Sequence, residues 1–321
     1  MGIIFALLST YKRSNLFRRW MMDKKTIAVC GATGQQGGAT VEALIKKGHW
    51  DIVALSRDPD GEKSKVLKEK GIRIVKADLL DKESLARAFR NAHMVFGVTQ
   101  PFSPNYKKTN TREEVEQGRN IVDACVKEKV EFLVQSSVFS SGMKDFGVAH
   151  LDSKTTIVNY LKISGLPYAI LKPASFMDNI GTDFFTIKKG HIRGFTDKDV
   201  KVPYIAAKDI GEFAALMFEQ PLLYRQKELD VVADFVSGEE LALILGKIRN
   251  GEQFKYTAIP RLAMWLFARE FYGMRVSFEK AGRLPYPEEV GIAIQNCKEL
   301  YPGIMTLEKY LRYRNLDSKA L

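Results

Sequence analysis

Three glycines at spacing three, Gly31, Gly34 and Gly37, follow the apolar run Ile27 to Cys30. After them Val41, Leu44 and Ile45 recur at helical spacing until Gly48. The run predicts a buried parallel strand, the recurrence an amphipathic helix, and Gly48 its stop. That order, strand, glycine turn and helix, restricts the fold sharply. A glycine closing the strand permits a tight turn, a second lets a pyrophosphate approach the backbone, and a third lets the helix pack closely on the strand. The helix N-terminus offers N–H groups and a partial positive charge to the anion. Gly31, Thr33, Gly34, Gln35, Gln36 and Gly37 are therefore the expected phosphate contacts. The spacing is G-x-x-G-x-x-G, not the G-x-G-x-x-G of many dehydrogenases.

Downstream the pattern repeats. Strands are predicted at Asp51 to Leu55, Ile72 to Lys76, Met94 to Val98, Phe132 to Gln135 and Tyr168 to Leu171. Helices are predicted at Glu62 to Lys70, Lys82 to Arg90, Thr111 to Glu128 and from near His150 to Ser164. Such alternation builds an α/β, doubly wound parallel sheet of Rossmann type, with ligands at the carboxyl ends of the strands. After Lys172-Pro173 the regularity loosens. Helices are expected at 207–219, 237–248, 260–272, 288–299 and 306–313, and short strands near 200–203, 228–232 and 254–258. The organisation read from this is an arm at 1–24, a dinucleotide-binding domain at 25–175, and a smaller mixed α/β C-terminal subdomain at 176–321, interleaved with the sheet edge. The arm is apolar from Gly2 to Leu8 and then basic, the reverse of a secretory signal. It is expected to be disordered, or a start-site artefact with Met22 as the natural beginning.

Net charge is +11, but the 49 basic and 38 acidic residues are interleaved and form no dense basic run, so direct nucleic-acid binding is not expected. No apolar window is long enough to span a bilayer. Cys30, Cys125 and Cys297 lie far apart, which suits a reducing, cytoplasmic compartment and excludes a disulfide framework. His49, His93, His150 and His191 lack metal-ligand spacing, so no metal is expected.

The second strand ends Leu55-Ser56-Arg57 with no acid at its tip. An acid there accepts from a ribose 2′-hydroxyl; a base accommodates a 2′-phosphate. Ser56 and Arg57 can both donate to phosphate, so NADP(H) is expected over NAD(H). The other reading is a surface arginine with Asp58 on the ribose. Asp78-Leu79 after the third strand can meet the adenine, or Asp78 can cap the following helix. Thr99 and Gln100 leave the fourth strand at the same edge.

Taken together, the glycine turn, Ser56-Arg57, Asp78-Leu79, Ser136-Ser137 and Leu171-Lys172-Pro173-Ala-Ser-Phe176-Met-Asp-Asn179 resemble the atypical short-chain dehydrogenase/reductases. Within these the chain is most similar to the NmrA-like group. The Gly-Ala-Thr-Gly-Gln-Gln-Gly-Gly opening, the Ala149-His150-Leu-Asp-Ser-Lys154 segment and the Tyr301-Pro302-Gly303…Thr306-Leu307-Glu308 tail carry that likeness, which covers roughly residues 25 to 315. Active members of the superfamily use a Tyr-x-x-x-Lys pair. Here Lys154 is present and His150 stands at the tyrosine position. The resemblance implies that Lys154 holds the nicotinamide ribose or donates a proton. His150 is either a replacement acid–base or a residue filling space beside the cofactor. Ser137, Pro173 and Phe176 would line the nicotinamide side; Ser137 can equally be a satisfied loop serine, Phe176 a core residue and Asn179 a helix cap. The loss of the tyrosine points first to an NADP(H)-binding, redox-responsive regulator that binds a protein partner. The alternative is an NAD(P)H-dependent oxidoreductase using Lys154 or His150 on a quinone, azo or small carbonyl substrate. Either is expected as a monomer or homodimer.

Overall fold

The computed structural model describes residues 24–102, 109–139, 148–182, 185–267, 269–281 and 286–314. The expected arm lies outside these residues but for Lys24. Seven strands form one parallel sheet: β1 (Thr26–Val29), β2 (Asp51–Ser56), β3 (Arg73–Lys76), β4 (Met94–Gly97), β5 (Phe132–Ser136), β6 (Tyr168–Pro173) and, from the C-terminal half, Lys227–Val231. The last pairs with β6, so the sheet crosses the 175/176 boundary. The spatial order is Lys227–Val231, β6, β5, β4, β1, β2, β3. Strand order reverses between β1 and β4, and the crevice outside their carboxyl ends is where such sheets bind ligands.

Alternation along each strand feeds two cores. Ile27 and Val29 face one, Ala28 and Cys30 the other. Helices α1 (Gln35–Lys47) and Ala207–Glu219 cover the first face. Helices α2 (Glu62–Glu69), α3 (Lys82–Phe89), α4 (Thr111–Lys127) and α5 (Ala149–Lys162) follow β2, β3, β4 and β5; α3, α4 and α5 cover the second face. The first-face pair pack backbone to backbone: a Cβ on Gly211 would sit 2.2 Å from the carbonyl oxygen of Ala39. At Gly118 on α4 the space a Cβ would need is filled by the Ile157 side chain of α5.

The C-terminal half adds β7 (Ser175–Phe176), β8 (Thr186–Lys188), β9 (His191–Gly194) and β10 (Val202–Ile205), with β11 (Lys227–Val231), β12 (Asp234–Val236) and β13 (Lys255–Ala258). Apart from β11, these make two three-stranded sheets, β12-β10-β7 and β13-β9-β8. β7, β8, β9 and β12 were not among the expected strands, and one expected helix is divided. The β8–β9 hairpin was not foreseen, because its two-residue loop is Lys189-Gly190. Both residues take positive φ, 49° and 75°, where a hairpin of this kind usually carries Asn-Gly or Asp-Gly. The helix expected at 260–272 is instead two, Arg261–Phe267 and Arg269–Ala281. The second runs through Gly273, past the end expected at 272.

Candidate functional site

The glycine turn has the stereochemistry its spacing implies. Gly31 takes φ +60°, and a Cβ there would lie 2.9 Å from Val98 Cγ1 at the β4 tip. A Cβ on Gly37 would fall 2.3 Å from Gly31 O and 2.5 Å from Cys30 O, both backbone, so α1 touches β1 where no larger residue fits. Gly34 is the N-cap of α1 and supplies no capping side chain, and the first turn holds no acid. The positive end of α1 therefore faces the crevice uncapped. Gln36 Oε1 accepts from Ser136 Oγ at 2.7 Å, tying the helix start to the tip of β5.

At the β2 tip, Ser56 is buried and its hydroxyl donates to Asp58 O at 2.9 Å while accepting from Asp58 N–H and Ser64 Oγ. Its proton is committed inside the turn. Arg57 is exposed and forms no ion pair among the described residues. Asp58 Oδ1 accepts the Asp60 N–H at 3.3 Å. At the β3 tip, Asp78 Oδ1 accepts the Leu80 N–H at 2.9 Å, and the cap of α3 is Asp81, which accepts from Ser84 N–H at 3.0 Å. The capping reading of Asp78 is thus corrected. Asp81 immediately precedes the helix in extended backbone, where the geometry of a cap is available.

Lys154 is held more tightly than its sequence position suggests. Its Nζ lies 2.6 Å from Glu114 Oε1 and donates to Thr99 Oγ1 at 2.8 Å and Thr99 O at 3.1 Å. An ammonium has three protons, and three protein acceptors surround it. Glu114 is fully buried and also accepts from Thr99 Oγ1 at 2.9 Å and from Ser153 Oγ. Sequence reasoning missed Glu114. Its signal was available: positions 114, 118, 121 and 125 form the buried stripe of α4, and a glutamate heads it. Tyr160, the remaining tyrosine of α5, is turned away. Its hydroxyl donates to Asp123 Oδ1 at 2.6 Å, a bond that pushes the phenol pKa up.

Beyond Lys154 lies a chamber of about 290 Å³. Gln35, Gln36, Thr99, Gln100, Ser137, His150, Lys154, Pro173 and Phe176, all singled out from sequence, line it, as does Asn179. The Ser137 hydroxyl makes no hydrogen bond among the described residues. Asn179 ends a 3-10 turn rather than capping a helix. The glycines of the turn and residues 56, 57, 78 and 79 belong instead to the β1, β2 and β3 end of the crevice. The chamber also takes residues that sequence did not flag. Tyr204 comes from β10, and Phe271, Met274, Ser277 and Phe278 from Arg269–Ala281. Phe102 stacks on Phe271 with centroids 6.3 Å apart and packs against His150 at 5.2 Å, so this helix roofs the site. Arg275 anchors the roof. It is buried and donates to Ile259 O and Glu279 Oε1, each at 2.8 Å, and to Asp197. Among the described residues no group of acids, histidines and cysteines could hold a metal. No helix of the described residues is long and apolar enough to cross a membrane.

The sequence model of the NmrA-like family matches residues 23–311. An NmrA-like family domain-containing oxidoreductase of Aspergillus sp. (strain MF297-2) is 27% identical over 259 residues, covering 74% of this chain and 76% of the relative. Among solved structures, the negative transcriptional regulator Nmra aligns with TM-score 0.74 at 20% identity, over 90% of this chain and 95% of its own. That regulator has been solved with NAD and with NADP. A triphenylmethane reductase of Citrobacter sp., complexed with NADP(H), aligns with TM-score 0.72 at 19% identity, over 90% and 99%. At these identities the structural likeness speaks to the fold.

Proposed function

The chain belongs to the NmrA-like family, and from that premise we propose that it is an NADP(H)-dependent oxidoreductase acting on a small molecule held in the aromatic chamber. The observation that carries this reading is the position of the chamber. It adjoins His150 and Lys154 and is covered on one side by a roof helix, as a small-molecule cleft is. The residues present suit a dinucleotide: a turn that admits no Cβ at Gly31 or Gly37, and a helix N-terminus without cap or acid. The Gln35, Gln36 and Gly37 amides would take the pyrophosphate. Arg57, exposed and without an ion-pair partner among the described residues, would take the 2′-phosphate, which favours NADP(H) over NAD(H). Asp78 and Leu79 would flank the adenine, and Thr99, Gln100, Ser137, Pro173 and Phe176 the nicotinamide end. When bound, the nicotinamide supplies or accepts the hydride. Lys154 shapes this end by pinning Thr99, and His150 stands closest in role to the missing tyrosine as a group able to hold a proton.

A second reading, a redox-responsive regulator with a protein partner, has its own observation: all three protons of Lys154 face protein acceptors. It leaves the chamber without a purpose. The two separate in one experiment. NADPH consumption is followed spectrophotometrically with quinone, azo and carbonyl acceptors, beside calorimetric titration of NADPH and NADP. Turnover with any acceptor, lost in His150→Ala while the nucleotide still binds, supports the enzyme. No turnover, with clear preference between the reduced and oxidised nucleotide, supports the regulator.

A further inference from the structure

The chamber has an unusual combination of walls: many aromatic rings and no uncompensated charge. Phe102, Phe176, Phe185, Phe195, Phe271 and Phe278 all line it. They come from the β4 loop, β7, the segments around β8 and β9, and the roof helix, so rings surround the space from several directions. Its ionisable side chains among the described residues are few. Tyr204 is buried, which drives its phenol pKa up and keeps it neutral. His150 packs on the Phe102 ring. Among the described lining residues Lys154 alone carries a fixed positive charge, and it is balanced by the wholly buried Glu114 carboxylate 2.6 Å away. Thr99 takes the two remaining ammonium protons. A carboxylate entering beside Lys154 would lose its water and find no open donor on that ammonium.

We infer that the chamber is a binding site for an uncharged, flat aromatic molecule, and that Glu114 sets this preference by neutralising Lys154. The amide of Asn179, which lines the chamber, can offer an uncharged hydrogen bond to a carbonyl or similar group on such a ring system. The inference names the substrate class for the oxidoreductase proposed above and rests on that reading for its role in turnover, though not for binding itself. Glu114 is a positioning residue in this account: it acts on the ligand only through Lys154.

The test compares two probes of similar shape at pH 7.5, the neutral 2-acetylnaphthalene and the anionic 2-naphthoate. Binding to the full chain is measured by calorimetry with and without NADP, and no turnover is needed. The ketone is expected to bind wild type at least about tenfold more tightly than the carboxylate, the scale of an uncompensated desolvation. Glu114→Gln keeps the shape and an acceptor oxygen but removes the negative charge. It should strengthen 2-naphthoate about tenfold and leave the ketone within a few fold. Phe271→Ala, on the roof, should weaken the ketone by about fivefold through loss of ring contact. If Glu114→Gln fails to fold, the wild-type ratio and Phe271→Ala still decide. Equal or tighter binding of 2-naphthoate by wild type overturns the inference, as does no binding of either probe. An unchanged ratio in a folded Glu114→Gln variant removes the role of Glu114. Ketone binding without any NADPH turnover would sustain this inference while sinking the oxidoreductase reading, so the two fail separately.

Discussion

Replacing Gly37 by alanine tests the link between the glycine spacing and the ligand site. Alanine would normally favour a helix interior over glycine by about 1 kcal/mol. Here the new methyl would sit 2.3 Å from Gly31 O, 2.5 Å from Cys30 O and 2.5 Å from Gly31 C. All three atoms are backbone and cannot swing aside. An ordinary contact needs about 1 Å more, so α1 must back away from β1 or the turn must reshape. Overpacking of this kind costs about 1–3 kcal/mol, and a rigid neighbour puts the cost at the upper end. After the propensity gain, net destabilisation should be about 2 kcal/mol. The neighbouring Gly38→Ala is the control. Its Cβ would meet Ala32 O at 3.2 Å, a clash that a few tenths of an ångström relieves, so its stability should stay within about 1 kcal/mol of wild type. Urea unfolding measures both. Because the same displacement carries the α1 amides off the phosphate position, Gly37→Ala should also weaken NADP binding by at least about tenfold, read by calorimetry, and Gly38→Ala should not. Wild-type stability and affinity in Gly37→Ala would refute the claim that close helix–strand contact builds this site.

Arg57→Ala should weaken NADP and NADPH by about tenfold or more and leave NAD and NADH nearly unchanged, since a charge-assisted bond to phosphate contributes about 1.5–3 kcal/mol; equal losses for all four would place the 2′-phosphate elsewhere. Asp209 is buried beside Glu212 and Asp178, with Lys208 the nearby cation, and burial pushes its pKa up from 3.8 to about 6. The folded state therefore keeps this proton when the unfolded chain has lost it. Its contribution to stability is fully present below about pH 4 and is lost as pH rises to about 6, on the order of 3 kcal/mol at most. Asp209→Asn should flatten that part of the stability–pH curve and make the protein more stable at pH 7, while the amide oxygen can still accept the Met305 N–H that Asp209 Oδ2 binds at 2.9 Å. A curve with its slope intact would disprove the assignment. All three cysteines are buried, with Cys30 pushed up to about 12 and Cys297 to about 11 by desolvation. Native protein should resist thiol-modifying reagents for as long as it stays folded, and rapid labelling at pH 8 would contradict this burial.

The parallel sheet and its glycine turn were legible because each depends on local chemistry. Runs such as Ile27 to Cys30 and Phe132 to Gln135 alternate with segments of helical periodicity, and their shortness, β-branched or aromatic residues and flanking turn residues mark them as strands. The tips of β1 to β6 then follow, since a parallel sheet must place every βα loop at one edge. Gln35, Gln36, Thr99 and Gln100 of the chamber wall were named on that ground, and Ser137, His150, Lys154, Pro173 and Phe176 from the family resemblance. Elements ruled by distant contacts were not legible. The strand foreseen at 200–203 is Val202–Ile205, displaced by pairing with β7 and β12. The roof helix runs through Gly273 because Phe271, Met274 and Phe278 face the chamber and Arg275 is bound by groups far along the chain. Glu114 and Lys154 are forty residues apart in sequence and meet only where α4 packs on α5. Periodicity and glycine spacing, being short-range, therefore determined the fold class and the dinucleotide edge. The roof over the chamber and the cancelled charge of its lysine were decided by tertiary structure, because burial and Coulomb attraction act between groups that the chain brings together only on folding.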